Sequence, residues 1–197
     1  MTSPRPFTIL TVCTGNICRS PLAEQLLTAR LADSVTPFVV MSAGTMAQSG
    51  QAMDATAAEM SRAYGGTPAD HEATYLTEML VESADLVLTA GRDHRAAAVR
   101  LSPRASRRTF TLTQFAHLVE GADPGELAAA EDPTQIVRLI ASLRGMVAPF
   151  EHADDEDVVD PYRRGQAVHE RAAADIDRAV TTIVSALRAG ESSRADA

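Results

Sequence analysis

The chain has 197 residues, of which 45% are hydrophobic, 22% charged and 4% aromatic, and its formal net charge is -8. That length and mix suit one folded domain with a substantial core, and the acidity excludes the broad basic face needed for sequence-independent binding to nucleic acid or an anionic membrane. No lysine occurs, so all 18 basic side chains are arginines, which removes Schiff-base chemistry, a lysine general base and the lysine of a P-loop NTPase.

In chain order, Met1 to Pro6 lacks the apolar stretch of a signal peptide, and no later run approaches the roughly 20 apolar residues of a membrane span; the expected location is cytoplasmic. Phe7 to Val12 is apolar and β-branched, then breaks into Cys-Thr-Gly-Asn, as a buried strand feeding a loop does. A helix follows, with Ser20 as the expected N-cap, Pro21 at its first position and Leu22, Gln25, Leu26 and Ala29 at helical spacing. Further strands are predicted over Pro37 to Ser42, Asp85 to Ala90 and Arg108 to Leu112. Helices are predicted over Met53 to Tyr64, Thr74 to Ser83 and Arg92 to Leu101. This alternation implies an α/β fold, a small doubly wound parallel four-stranded sheet with helices on both faces. A surface excursion is expected at 121–157, with a helix over Pro133 to Val147 and an acidic run, Glu151 to Asp157, that reads as a solvated loop. Gln166 to Ala189 places Ile176, Val180, Ile183, Val184 and Leu187 on one stripe of a packed helix. One domain over 1–189 and a disordered tail at 190–197 complete the expected organisation.

The chemistry concentrates in Cys13-Thr14-Gly15-Asn16-Ile17-Cys18-Arg19-Ser20. Backbone N–H groups of a short Gly-containing loop form an anion nest, and the helix N-terminus adds partial positive charge; a phosphate fits there. The same field stabilises a thiolate at Cys13, and the planar, permanently charged Arg19 can grip two phosphoryl oxygens at once. Cys13 and Cys18 are the only cysteines, and no His, Asp or Glu lies between or just outside them to complete a zinc site. No metal and no cofactor is expected.

The run Cys13 to Pro21 matches Cys-x-Gly-Asn-x-Cys-Arg-Ser-Pro residue for residue, and through it the chain resembles the low-molecular-weight protein-tyrosine phosphatases. Ser42-Ala43-Gly44-Thr45, His71, Asp85-Leu86-Val87-Leu88 and Asp160-Pro161-Tyr162 extend the resemblance from about Phe7 to Leu187. It implies a flavodoxin-like fold and hydrolysis of phosphomonoesters, chiefly protein phosphotyrosine or a small aryl phosphate, through a phosphocysteine at Cys13. Arg19 would bind phosphate, and Asp160 would be the general acid and then base; a departing phenolate does need such a proton donor outside the loop. Thr14, Gly15, Asn16, Ile17, Cys18 and Ser20 would form the phosphate loop, braced by Asn16, Ser42 and His71, with Ser20 supporting the Cys13 thiolate. Cys18 is placed either for loop packing or for a reversible disulfide with Cys13.

Around this loop the family pattern thins. Met46 stands where aromatic residues are common, leaving Met46 and Tyr162 as the expected substrate walls, and the segment Thr89-Ala90-Gly91-Arg92-Asp93 departs from the acidic residue common just after the third strand. Two other functions fit part of the pattern. A thiol-coupled arsenate reductase would use the same loop but has no need of Asp160-Pro161-Tyr162, and a non-catalytic phosphotyrosine-binding module would be expected to lose Cys13, Arg19 or Asp160.

Overall fold

A computed structural model describes residues 5–191. Strand β1 (Phe7–Cys13) carries apolar side chains on both faces, the pattern of an interior parallel strand: Phe7 and Ile9 enter one cluster, Leu10 and Val12 another. It lies between β2 (Phe38–Gly44) and β3 (Leu86–Thr89), with β4 (Thr109–Thr111) outermost, and every pairing is parallel in the order β2-β1-β3-β4. The order reverses direction at β1 and β3, so the switch point, where ligands of such sheets bind, opens at the carboxyl ends of these two strands.

Helices α1 (Arg19–Leu31), α2 (Ala55–Ala63), α3 (Glu78–Ser83), α4 (Arg92–Leu101), α5 (Leu112–Glu120), α6 (Pro124–Ala128), α7 (Pro133–Ser142) and α8 (Gln166–Leu187) surround the sheet. Ile9, Leu86, Leu88 and Phe110 pack in the larger cluster with Leu26 of α1, Phe115 of α5, Ile140 of α7 and Ile176 of α8. The smaller cluster joins Leu10, Val12 and Val87 to Val81 of α3 and Ala98 of α4. Each large side chain so buried contributes on the order of 1.5–3 kcal/mol, and together they fix the strand ends that present the site.

The structure departs from the sequence reading where hydroxyl and carboxylate groups find better partners. Ser20 does not cap α1: the helix begins at Arg19, no side chain caps it, and the Ser20 hydroxyl turns toward Cys13 and Asn16. The helix predicted from Thr74 starts at Glu78, because the Thr74 N–H donates to Asn16 Oδ1 (2.7 Å) and Thr77 takes the cap. The strand predicted to Leu112 stops at Thr111, whose hydroxyl accepts the Gln114 N–H (2.9 Å) and opens α5, a helix the sequence reading does not contain. Nor is 121–157 wholly superficial, since Leu127, Ile136, Val137 and Ile140 are buried in the main cluster. Of the expected tail, Gly190 and Glu191 form a helical turn, with Glu191 Oε1 accepting the Thr36 N–H (3.2 Å) and Oε2 paired with Arg188; 192–197 lie outside the described residues.

Candidate active site

Cys13 ends β1 and points to the α1 side of the sheet, in phase with Phe7, Ile9 and Thr11. It is 2% exposed, and its Sγ accepts the Asn16 N–H (3.3 Å) and lies 3.0 Å from the Ser20 hydroxyl oxygen. Ser20 Oγ is also 3.3 Å from the Ala43 carbonyl oxygen. One hydroxyl proton serves either acceptor, so Ser20 can donate to a Cys13 thiolate, or to Ala43 when Cys13 keeps its own proton.

The loop is braced from three sides. Asn16 adopts φ +55°, a left-handed conformation that Asn tolerates better than most residues. Its Nδ2 donates to Ser20 Oγ (2.9 Å) and Ser42 Oγ (2.8 Å), its Oδ1 accepts from Thr74, and its carbonyl oxygen is 2.7 Å from His71 Nε2. Ser42 donates in turn to Glu24, whose other neighbour is His71 Nδ1 at 3.9 Å. Burial raises the Glu24 carboxyl above its ordinary value, against the lowering effects of the Ser42 hydrogen bond and His71. On the sheet side, the N–H groups of Thr45 and Met46 donate to the carbonyls of Cys13 (2.9 Å) and Thr14 (2.8 Å). A Cβ on Gly44 would stand 2.5 Å from the Thr14 carbonyl oxygen, so only glycine admits this approach. Among the described residues no protein acceptor takes the N–H groups of Gly15, Ile17 or Cys18, the arrangement of an anion nest.

Arg19 is almost wholly buried. Its Nη1 donates to the Val158 carbonyl (3.1 Å), its Nη2 pairs with Asp160 Oδ1 (3.0 Å), and its buried Nε has no hydrogen-bond partner among the described residues. An unpaired buried donor is costly, and this one lies on the edge of a guanidinium suited to a two-oxygen grip. The fold thus brings Asp160 to the loop across 141 positions of chain.

Thr14, Arg19, Met46, His94, Asp157 and Asp160 line a cleft of about 810 Å³. Met46 is 74% exposed there; Tyr162 is also exposed but does not line the cleft, and the Arg163 guanidinium sits 5.1 Å from its ring. His71 reaches the loop from the far side. Cys13 and Cys18 are both free and buried, and burial, followed by the charges of Asp54, Cys13 and Asp160, pushes the Cys18 thiol up to about 12 against the lowering effect of Arg19. Cys18 therefore rests as a thiol.

Several residues at the site are absent from the sequence reading. Glu24 has the i+4 helical spacing from Ser20 that could have flagged it. His94 Nε2 is 2.8 Å from Thr14 Oγ1, its Nδ1 is buried without a partner among the described residues, and burial, then Arg19, lowers its pKa against Asp160, Asp93 and Asp157. Nothing local in the sequence marks it.

Residues 8–135 match the family model described as low molecular weight phosphotyrosine protein phosphatase. The chain belongs to that family. A relative from Ralstonia solanacearum, the probable low molecular weight protein-tyrosine-phosphatase EpsP, is 33% identical over 183 residues, 92% of this chain and 97% of that protein. A protein-arginine-phosphatase from Geobacillus stearothermophilus is 37% identical over 121 residues, 60% of this chain and 79% of that protein. In fold, the chain is similar to the crystal structure of the Erwinia amylovora tyrosine phosphatase AmsI, with a TM-score of 0.67 at 24% identity, covering 95% of this chain and 97% of that one. The chain is a phosphatase, and neither arsenate reduction nor a purely binding role is favoured by these likenesses. The family match stops ahead of Asp160.

Proposed function

We propose that the phosphatase hydrolyses phosphotyrosine in proteins, or small aryl phosphates, through a phosphocysteine at Cys13. The carrying observation is the convergence of Arg19, buried at the phosphate loop, with Asp160 at 3.0 Å. In the first step Cys13 Sγ attacks phosphorus as the P–O bond to the phenolic oxygen breaks, and Asp160 passes its proton to that oxygen. Arg19 and the loop N–H groups hold the three remaining oxygens, where negative charge is spread in the transition state. In the second step Asp160, now a carboxylate, takes a proton from water as the water oxygen attacks phosphorus. The P–S bond breaks, inorganic phosphate leaves and the Cys13 thiolate returns, with Ser20 free to donate to it.

Preference for an aromatic leaving group rests on the relatives named tyrosine phosphatases and on Met46, exposed at the cleft, with Tyr162 exposed two residues after Asp160 but outside the cleft lining. The two free cysteines fit a reducing, cytoplasmic setting, and no described helix is long and apolar enough to cross a membrane. The test compares turnover of phosphotyrosine, phosphoserine and phosphoarginine peptides, an aryl phosphate, and arsenate with added thiols. Cys13→Ser should abolish aryl phosphate turnover while retaining phosphate binding, and Asp160→Ala should slow it by about 10²–10⁴-fold. Full activity in either variant, or turnover of arsenate alone, contradicts the reading.

A further inference from the structure

The acidic run and the arginine that opens α4, each without a role in the chemistry above, meet in the structure. Asp157 Oδ1 accepts the backbone N–H of Arg92 (2.7 Å), while Oδ2 accepts from Arg92 Nε (3.1 Å) and Nη2 (2.8 Å). Asp154 adds a second carboxylate to Nη2 (3.0 Å). Gly91 permits the approach, because a Cβ there would stand 3.0 Å from Asp157 Oδ1 and 3.2 Å from its Cγ. Burial would raise the Asp157 carboxyl, but the hydrogen bonds and charge of Arg92 outweigh it and hold the group below its ordinary value, so the clasp is charged at neutral pH.

The adjoining residue gives the clasp its meaning. Val158 donates its N–H to the Ala90 carbonyl (2.8 Å) and accepts from Arg19 Nη1 (3.1 Å). Beyond Val158, Val159 is half-buried and Asp160 exposed before Pro161 is buried again beside Cys18, Arg19 and Leu22, and the backbone bonds there are local, such as Arg164 N–H to the Pro161 carbonyl (2.9 Å). Asp157 and Val158 are thus the last points at which the acid loop is tied to the sheet ends before Asp160. The tie runs to Ala90 and Arg92, directly after the strand that neighbours Cys13. A partly exposed ion pair adds little to global stability, whereas a small displacement of a proton donor strongly affects rate.

We infer that the Arg92–Asp157 clasp is a positioning device that sets where Asp160 stands relative to Cys13 and Arg19, and so governs proton delivery to the leaving group. Arg92 and Asp157 act through Asp160 rather than on the substrate. The inference rests on the reading of Asp160 as the general acid.

The test uses kcat/KM, which reports the step in which the leaving group departs, over aryl phosphates from 2,4-dinitrophenyl to unsubstituted phenyl. A good leaving group needs no proton; a poor one does. Asp157→Asn and Arg92→Gln should each lower kcat/KM for phenyl phosphate by about tenfold or more, and for dinitrophenyl phosphate by less than about threefold. Inhibition by inorganic phosphate should stay within about twofold, a control that the loop is folded. Asp160→Ala should show the same dependence more steeply, and adding Asp157→Asn to it should cost nothing further. A uniform loss across the series, or a parallel weakening of phosphate inhibition, would overturn the inference in favour of substrate contact or plain structural support. If Asp160→Ala steepens the series and the clasp variants do not, the clasp inference alone fails; if Asp160→Ala does not steepen it, the acid assignment fails and the inference with it.

Discussion

Replacing Gly44 by alanine adds one carbon atom where β2 closely approaches the loop Cys13 to Ser20. That Cβ would lie 2.5 Å from the Thr14 carbonyl oxygen, 2.8 Å from the Asn16 nitrogen and 3.0 Å from Ala47 Cβ. Two of the three are backbone atoms of the loop itself, so no rotamer change relieves the clash. Moving the Thr14 oxygen out to ordinary contact near 3.4 Å requires a shift of about 0.9 Å. Such a shift breaks the phase of the bonds from Thr45 and Met46 that hold Cys13 and Thr14. Overpacking of this kind costs about 1–3 kcal/mol, which for a domain of this size lowers Tm by roughly 2–12 °C. A displacement near 1 Å in a catalytic loop costs about 10²-fold in rate. The assay is kcat/KM for an aryl phosphate together with the inhibition constant of inorganic phosphate, measured well below the variant's Tm. Both should deteriorate if the proposed nest and nucleophile are right, because the loop N–H groups and Cys13 shift together. If Gly44→Ala keeps kcat/KM within about threefold and binds phosphate as before, this glycine does not set the loop position.

Ile140 is fully buried although it lies in the segment expected at the surface, so Ile140→Ala should lose about 2–5 kcal/mol in denaturant unfolding while kcat of the folded protein changes little; a loss below about 1 kcal/mol would mean that α7 is peripheral. His94 should titrate below 6.5 by NMR, since burial and Arg19 both disfavour its charged form, and Asp160→Asn should lower it further by removing a charge that raises it. A midpoint at or above 6.5 contradicts the described environment. The Asp157 carboxyl is held below its ordinary 3.8, so its contribution to stability is present above that value and is lost as pH falls through the lower folded-state pKa. The stability gap between wild type and Asp157→Asn should therefore be flat from neutral pH to about 4 and close in stronger acid; a gap that closes between pH 5 and 7 refutes the pairing.

The loop Cys13 to Ser20 could be singled out as a candidate phosphate site because its chemistry is local: thiol, glycine, asparagine and arginine within eight residues of a strand end. The parallel strand and helix alternation was legible for the same reason. Asp160 could be nominated only through the resemblance, as nothing near it in sequence announces a partner 141 positions away. Glu24, His94 and the Arg92–Asp157 clasp depend on which loops the sheet order brings together, and periodicity carries no such information. Ser20 shows how two signals can compete. A serine before a proline at a helix start reads as a cap, yet its hydroxyl is worth more beside the Cys13 sulfur and Asn16. In the same way Thr111 ends β4 by capping α5, and Thr77 caps α3 later than its predicted start, a choice between two valid local structures that only tertiary packing decides.

A phosphoryl group carried on sulfur at Cys13 is the centre of the proposed mechanism. Rapid acid quench during turnover of an aryl phosphate, followed by peptide mapping, tests it most directly. Phosphate is expected on the peptide containing Cys13, accumulating further in Asp160→Ala when a good leaving group is used, because loss of the base slows hydrolysis more than phosphorylation. Phosphate on another residue, or turnover with no phosphoenzyme and an undiminished rate in Cys13→Ser, would contradict it.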